Sequence, residues 1–187
     1  MHDVIRAALE LQNFCEHRGW QYCFIGGLAL QVWGEPRLTV VADLTLLAGW
    51  GREASYVDAL LESFQCRIPD GKSFALENRV LLLISSQGVG LDVALGALPF
   101  EEEAVRRSSL FTFPPDTPLR ICSAEDLVVM KAFASRGQDW VDVEGILARQ
   151  AGKLDWEYIL RHLQPLAELR ETPEILTRLD GLRQATQ

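Results

Sequence analysis

The spacing of apolar and polar residues divides this chain into a mixed front part and a helical rear part. Residues 3–18 place Val4, Ile5, Ala8, Leu9, Gln12 and Cys15 on one helical stripe. Asp3 is a candidate cap and Gly19 a candidate stop, which together predict an amphipathic helix. The short apolar run 22–25 predicts a buried strand that ends at Gly26-Gly27, and residues 28–33 predict a short helix closed by Gly34 and Pro36. Residues 39–47 are apolar and β-rich but interrupted by Asp43. Residues 52–64 have helical periodicity through Val57, Leu60, Leu61 and Phe64. Two apolar runs, 79–85 and 89–95, flank Ser86-Gln87-Gly88 and predict a hairpin. A further strand is expected over 110–113, broken by Pro114-Pro115.

The pattern then changes. Ser123-Ala124-Glu125-Asp126 reads as a capping box opening a helix that continues over 127–135. Helices are expected over 139–149, 155–163 and 173–182, the last with Thr172 as N-cap and Pro173 at the first helical position. The predicted fold class is mixed α/β (α+β) over residues 1–121, followed by a helical subdomain over residues 122–187.

Composition narrows the function. The chain has 187 residues, 48% hydrophobic and 24% charged, which suits a globular protein with a substantial core. No apolar run is long enough to cross a bilayer and no leader pattern is visible at the start, so a cytoplasmic location is expected. The net charge of −8 lacks the basic surplus of a protein that coats nucleic acid. The deficit is concentrated in residues 1–118, with 9 basic against 15 acidic side chains, whereas residues 119–187 hold 9 against 11. The four cysteines form no CxxC pair and the three histidines are scattered, so zinc sites and Ser/His/Asp or Cys/His nucleophiles are not expected. Buried free thiols in a reducing compartment are the expectation.

Two lone carboxylates stand out, Asp43 and Asp92, each inside an apolar strand run. Strand alternation turns Ala42, Leu44 and Leu46 toward the core and Asp43 to the other face. Two such acids in neighbouring strands call for a cation, an arginine or open solvent, with Arg37 as one candidate partner. The Gly26-Gly27 turn between strand and helix could admit a phosphate to backbone N–H groups, or could be only a tight turn. Among the remaining polar residues, Glu101-Glu102-Glu103 is expected as a solvated acidic turn. Asp142 and Glu144 are expected in solvent, Arg136 and Asp139 as a surface pair, and Trp140 and Trp156 as packing anchors. Lys131, in an apolar helix, serves either a site or a solvent-reaching stem.

Together Phe24-Ile25-Gly26-Gly27-Leu28-Ala29, Arg37-Leu38-Thr39 and Val41-Ala42-Asp43-Leu44 resemble the signature of the polymerase-β-type nucleotidyltransferase superfamily. In that signature a glycine turn is followed, after a spacer, by an acid-x-acid strand. The stretches Leu91-Asp92-Val93, Leu98-Pro99-Phe100-Glu101, Ser123–Leu127, Met130–Ala134 and Arg136 with Asp139-Trp140 and Asp142-Val143-Glu144 are similar to the AbiEii/AbiGii-type toxin branch. The resemblance covers roughly residues 20–165. It implies a nucleoside triphosphate (NTP) as substrate, two Mg²⁺ ions, and transfer of a nucleoside monophosphate to an acceptor such as the 3′ end of a transfer RNA. It also implies an antitoxin protein as partner, and a site in a cleft between the two parts. The catalytic residues it implies are Asp43, Asp92 and Lys131. Those it implies for nucleotide binding are Gly26, Gly27, Arg37, Thr39, Lys131 and Arg136. The Mg²⁺ ligands would be Asp43 and Asp92.

One departure weighs on all of this: the first carboxylate of the signature falls on Val41, which has no oxygen donor for Mg²⁺. Glu35, before Pro36 in a loop, is a poor substitute. Val41 would mark an introduced inactivating change, a natural degenerate copy, or a site assembled from other ligands. The readings that follow are a metal-dependent toxin-type transferase impaired at Val41, an inactive nucleotide- or partner-binding module, and a small-molecule (antibiotic) nucleotidyltransferase.

Overall fold

The computed structural model describes residues 1–186. It contains a seven-stranded mixed sheet and a set of helices that fall into two compact units, residues 1–28 with 38–122 and residues 29–37 with 123–187.

In the first unit the helix α1 (His2–His17) precedes β1 (Tyr22–Phe24), the helix α2 (Gly26–Trp33) begins at the diglycine, and β2 (Val41–Leu47) follows. Next come α3 (Glu53–Leu61), β3 (Gln65–Cys66), α4 (Gly71–Asn78), β4 (Val80–Ile84) and β5 (Gly90–Gly96). The unit closes with α5 (Pro99–Arg107), β6 (Ser109–Phe113) and β7 (Thr117–Ile121). The strand order is β3-β4-β5-β2-β1-β7-β6, with β2/β5 and β1/β7 parallel and the other pairs antiparallel.

The alternation expected along β2 is present: Ala42, Leu44 and Leu46 are fully buried, beside Leu91, Val93 and Leu95 of β5 and Leu81 and Leu83 of β4. Helix α1 packs against the same sheet and buries the predicted stripe except Leu9, which is half-buried, together with Ala7 and Leu11. Its Gln12 is buried and bonded through both its nitrogen and its oxygen. The amide donates to the Pro118 carbonyl (2.9 Å) and accepts from the Arg120 N–H (3.0 Å), tying the helix to β7 at no desolvation loss. The β4–β5 hairpin turns through Gly88 at φ +78°, with the Ser85 N–H donating to the Val89 carbonyl (2.8 Å).

Four elements depart from the sequence expectation. Helix α4 carries no marked apolar stripe, and β3 has only two residues, so neither produces a periodicity. Strand β7 contains Pro118, tolerated because the Gln12 side chain serves the neighbouring backbone. The acidic triplet is not a turn but the first part of α5. Glu101 accepts from the N–H groups of Ala97 (2.7 Å) and Leu98 (2.8 Å), the reach-back half of a cap, and acids at a helix N-terminus complement its dipole.

The second unit holds α6 (Ala124–Ala134), α7 (Gly137–Arg149), α8 (Trp156–Leu169) and α9 (Glu174–Ala185) together with the residues 29–37. The expected capping box at Ser123 is formed: its hydroxyl accepts from the Asp126 N–H (3.2 Å) and donates to the Asp126 carboxylate (2.7 Å). The other Asp126 oxygen accepts from the Tyr158 hydroxyl of α8 (2.5 Å), so the cap also locks two helices together. At α9 the cap falls on Pro173, one residue later than expected. Trp140 is the buried anchor of this unit, its indole N–H donating to Ser135 (3.1 Å), whereas Trp156 is half-buried under Arg183.

Candidate functional site

The sequence-derived site residues fall into one group per unit. In the first unit Gly26, Gly27, Thr39, Val41, Asp43 and Asp92 lie around the upper end of β1, β2 and β5; Arg37, Lys131 and Arg136 belong to the second.

Asp43 and Asp92 are direct register partners across the parallel β2/β5 pair, hence on one face of the sheet. Asp43 stands over the diglycine. The Gly27 N–H points at Asp43 Oδ2 (3.5 Å), and the Ile25 N–H donates to the Asp43 carbonyl (2.9 Å). Gly26 has φ +55°, and a Cβ there would collide with Asp43 Oδ2. A Cβ on Gly27 would stand 2.5 Å from Thr39 Oγ1, whose hydroxyl donates to the Val41 carbonyl (2.9 Å). Both glycines are therefore required by the close approach of Asp43 and Thr39, independently of any ligand.

Asp92 has a partner that sequence reasoning missed. Arg67 follows β3, its N–H donates to the Leu82 carbonyl (2.9 Å), and Leu82 pairs with Asp92 across β4/β5. One cross-strand row thus runs Arg67–Leu82–Asp92–Asp43. The guanidinium reaches over Leu82 to Asp92 Oδ1 (2.6 Å), with the two side chains only 30% and 29% exposed. It also lies against Gly90, the register partner of Val41. A Cβ on Gly90 would collide with Arg67 Nη1 and stand 3.2 Å from Val41 Cγ2. The place where the signature has its first carboxylate is thus filled by valine and flanked by a fixed positive charge. No periodicity or motif marks Arg67; only the sheet register brings it there.

These residues do not fit a pair of Mg²⁺ ions. Two carboxylates and one arginine sum to a net charge of −1. Asp92 would have to leave its arginine to bind a metal, and Val41 offers no oxygen. Among the described residues no group of three or more His, Cys, Asp or Glu is placed to hold a metal ion.

In the second unit Lys131 is buried. Its ammonium donates to Asp139 (3.0 Å) and Asp142 (2.7 Å). Asp142 also takes Arg37 through two parallel bonds (3.1 and 3.2 Å) and Gln138 (3.1 Å), while Asp139 takes Arg136 (2.6 Å). Arg37 therefore pairs with Asp142 and not with the strand carboxylates. The expectation of a solvated Asp142 is corrected: its side chain is 2% exposed. The expected Arg136–Asp139 pair is formed, but its carboxylate is buried while Arg136 stays exposed. Burial pushes both aspartate pKa values up, but the hydrogen bonds and charges outweigh it and hold them below the ordinary 3.8. The bonds come from Arg136 and Lys131 on Asp139, and from Arg37, Lys131 and Gln138 on Asp142. Glu144 is exposed, as expected.

No family model matches the chain, and no curated protein matches it. Solved structures do. An antigenic nucleotidyltransferase-like protein from Paracoccidioides brasiliensis aligns over 96% of this chain and 93% of its own, at 16% identity and a TM-score of 0.59. The chain has a nucleotidyltransferase-like fold. The lincosamide antibiotic adenylyltransferase LnuA, solved with lincomycin bound, covers 75% of this chain and 94% of its own, at 11% identity and a TM-score of 0.51. In this chain the diglycine, Asp43, Asp92 and Arg67 lie in one local arrangement.

Proposed function

We propose that this protein is a nucleotidyltransferase-fold binding module that takes an NTP at the Gly26-Gly27 turn without Mg²⁺ and does not transfer it. The observation behind this reading is the 2.6 Å Arg67–Asp92 pair beside Val41: a guanidinium occupies Asp92 where a catalytic metal would be needed. A catalytic metal contributes several kcal/mol to such a transition state, so its loss is on the order of a thousandfold or more in rate. The sequence motifs of the toxin branch extend the proposal. The chain descends from a toxin-type transferase acting on a transfer RNA end and retains the surfaces for nucleotide and for an antitoxin partner. Lys131 and Arg136, held by Asp139 and Asp142, then serve to shape the second unit and not to contact phosphate.

The test incubates the chain with each labelled NTP, Mg²⁺ and bulk RNA, and measures NTP binding in Mg²⁺ and in EDTA. No label transfer and equal binding in both buffers are expected. Mg²⁺-dependent transfer overturns the proposal, and absence of NTP binding in either buffer removes its nucleotide half. A second reading, an antibiotic nucleotidyltransferase, is favoured by the likeness to LnuA. Transfer of label to a lincosamide or an aminoglycoside in the same assay decides for it.

A further inference from the structure

A large cavity of the first unit lies away from the diglycine. It has a volume of about 760 Å³ and opens at the opposite ends of the central strands, where Gly19–Tyr22 lead into β1, Leu47 and Gly49 leave β2, and Gly96 ends β5. Leu47 lies four residues beyond Asp43, about 13 Å along the strand at roughly 3.3 Å per residue.

The lining has a definite chemistry. Arg52, Arg106 and Arg120 face Glu102, an excess of two positive charges in a chain of net charge −8. Exposed Arg106 pairs with half-buried Glu103, but Arg52 and Arg120 have no ion-pair partner among the described residues. Trp20 and Tyr56 form an aromatic wall, ring centroids 4.6 Å apart. Tyr22 is held beside them by donating to Glu16 (2.9 Å). The space beside Gly19 is open, since a Cβ there would meet nothing within 4 Å, whereas Gly96 is closely packed: a Cβ on it would crowd Thr45 Cγ2 (3.1 Å) and Leu47 Cδ2 (3.3 Å). The volume is in the range of small-molecule sites, roughly 300–1,000 Å³. Guanidinium forks match planar or tetrahedral oxyanions, and an aromatic wall takes a flat ring.

We infer that this cavity is a binding site for a small aromatic anion, with its ring against Trp20 and Tyr56 and its phosphate or carboxylate on Arg52 and Arg120. The site is separate from the diglycine and does not depend on what binds there.

The experiment titrates the ¹⁵N-labelled full chain with phenyl phosphate and phenylacetate, using inorganic phosphate and benzyl alcohol as charge-only and ring-only probes. Saturable amide shifts at Gly19, Gly49 and Gly96 are expected with at least one aromatic anion, whichever binds tighter naming the anion class. Both control probes are expected to bind at least tenfold more weakly. Arg52→Ala and Arg120→Gln are each expected to weaken binding at least tenfold. Arg52 is exposed, so its variant stays folded even if the Arg120 variant does not. No saturable shift with either anion, shifts located elsewhere, inorganic phosphate binding as tightly as phenyl phosphate, or an Arg52→Ala protein that binds normally overturns the inference.

Discussion

Asp142→Asn probes the buried charge network of the second unit while keeping the side chain's shape. The native carboxylate accepts four hydrogen bonds, from Lys131, Arg37 (two) and Gln138, at 2.7–3.2 Å. The amide removes the charge and sets an NH₂ donor against donors. Breaking one side of a buried pair costs about 3–5 kcal/mol. The lower end applies, because Lys131 keeps Asp139 and the Arg37 side chain, 40% exposed, regains water. A loss of about 3 kcal/mol lowers the Tm of a chain this size by roughly 6–12 °C. Thermal unfolding at pH 7 measures it, with Glu144→Ala as an exposed control expected within about 0.5 kcal/mol of wild type. A cycle with Lys131→Met separates pair from parts: the double variant is expected to be at least about 1 kcal/mol more stable than the sum of the single losses. A Tm drop under 2 °C, or strictly additive losses, refutes the reasoning.

The same network sets an acid limit. Asp139 and Asp142 have native pKa values below 3.8, so their contribution is complete above that pH and fades as pH falls through the lower native values. Acid unfolding followed by circular dichroism is expected to be steeper below pH 3.8 in wild type than in Asp142→Asn. At the diglycine, Gly26→Ala forces a Cβ into Asp43 at φ +55° and is expected to cost at least about 1–3 kcal/mol in denaturant titration, a cost only partly relieved by adding Asp43→Gly. Among the thiols, burial and then the nearby Glu16 charge push Cys15 up to about 12, and Cys23 and Cys122 are buried, while Cys66 is half-buried. Native labelling with a disulfide reagent at pH 8 is expected to show one fast thiol, lost in Cys66→Ser.

Much of this could be read from residues. The apolar runs Val80–Ile84 and Gly90–Gly96 around Ser86-Gln87-Gly88 reveal the hairpin, and the alternation along Val41–Leu47 sets Asp43 on the face away from Ala42, Leu44 and Leu46. The capping box at Ser123 was visible because its residues are three apart. What was not legible depends on contacts distant in sequence. Arg67 meets Asp92 only because β3 and β4 carry it across Leu82, 25 residues away. Asp142 looks like a surface acid until Lys131 and Arg37, 11 and 105 residues off, close around it. Helix α5 escaped because an acidic triplet has no apolar stripe. Its stability comes from Glu101 reaching back to two N–H groups and from buried Phe100 and Ala104.

The central claim is that Arg67 and Val41 together close this fold to catalytic metal. Calorimetric titration of Mg²⁺, with no nucleotide present, into the native chain and into Val41→Asp/Arg67→Ala tests it most directly. Native protein without saturable Mg²⁺ binding, and a double variant that acquires it, is the result the account predicts. Stoichiometric Mg²⁺ binding by the native chain would contradict it.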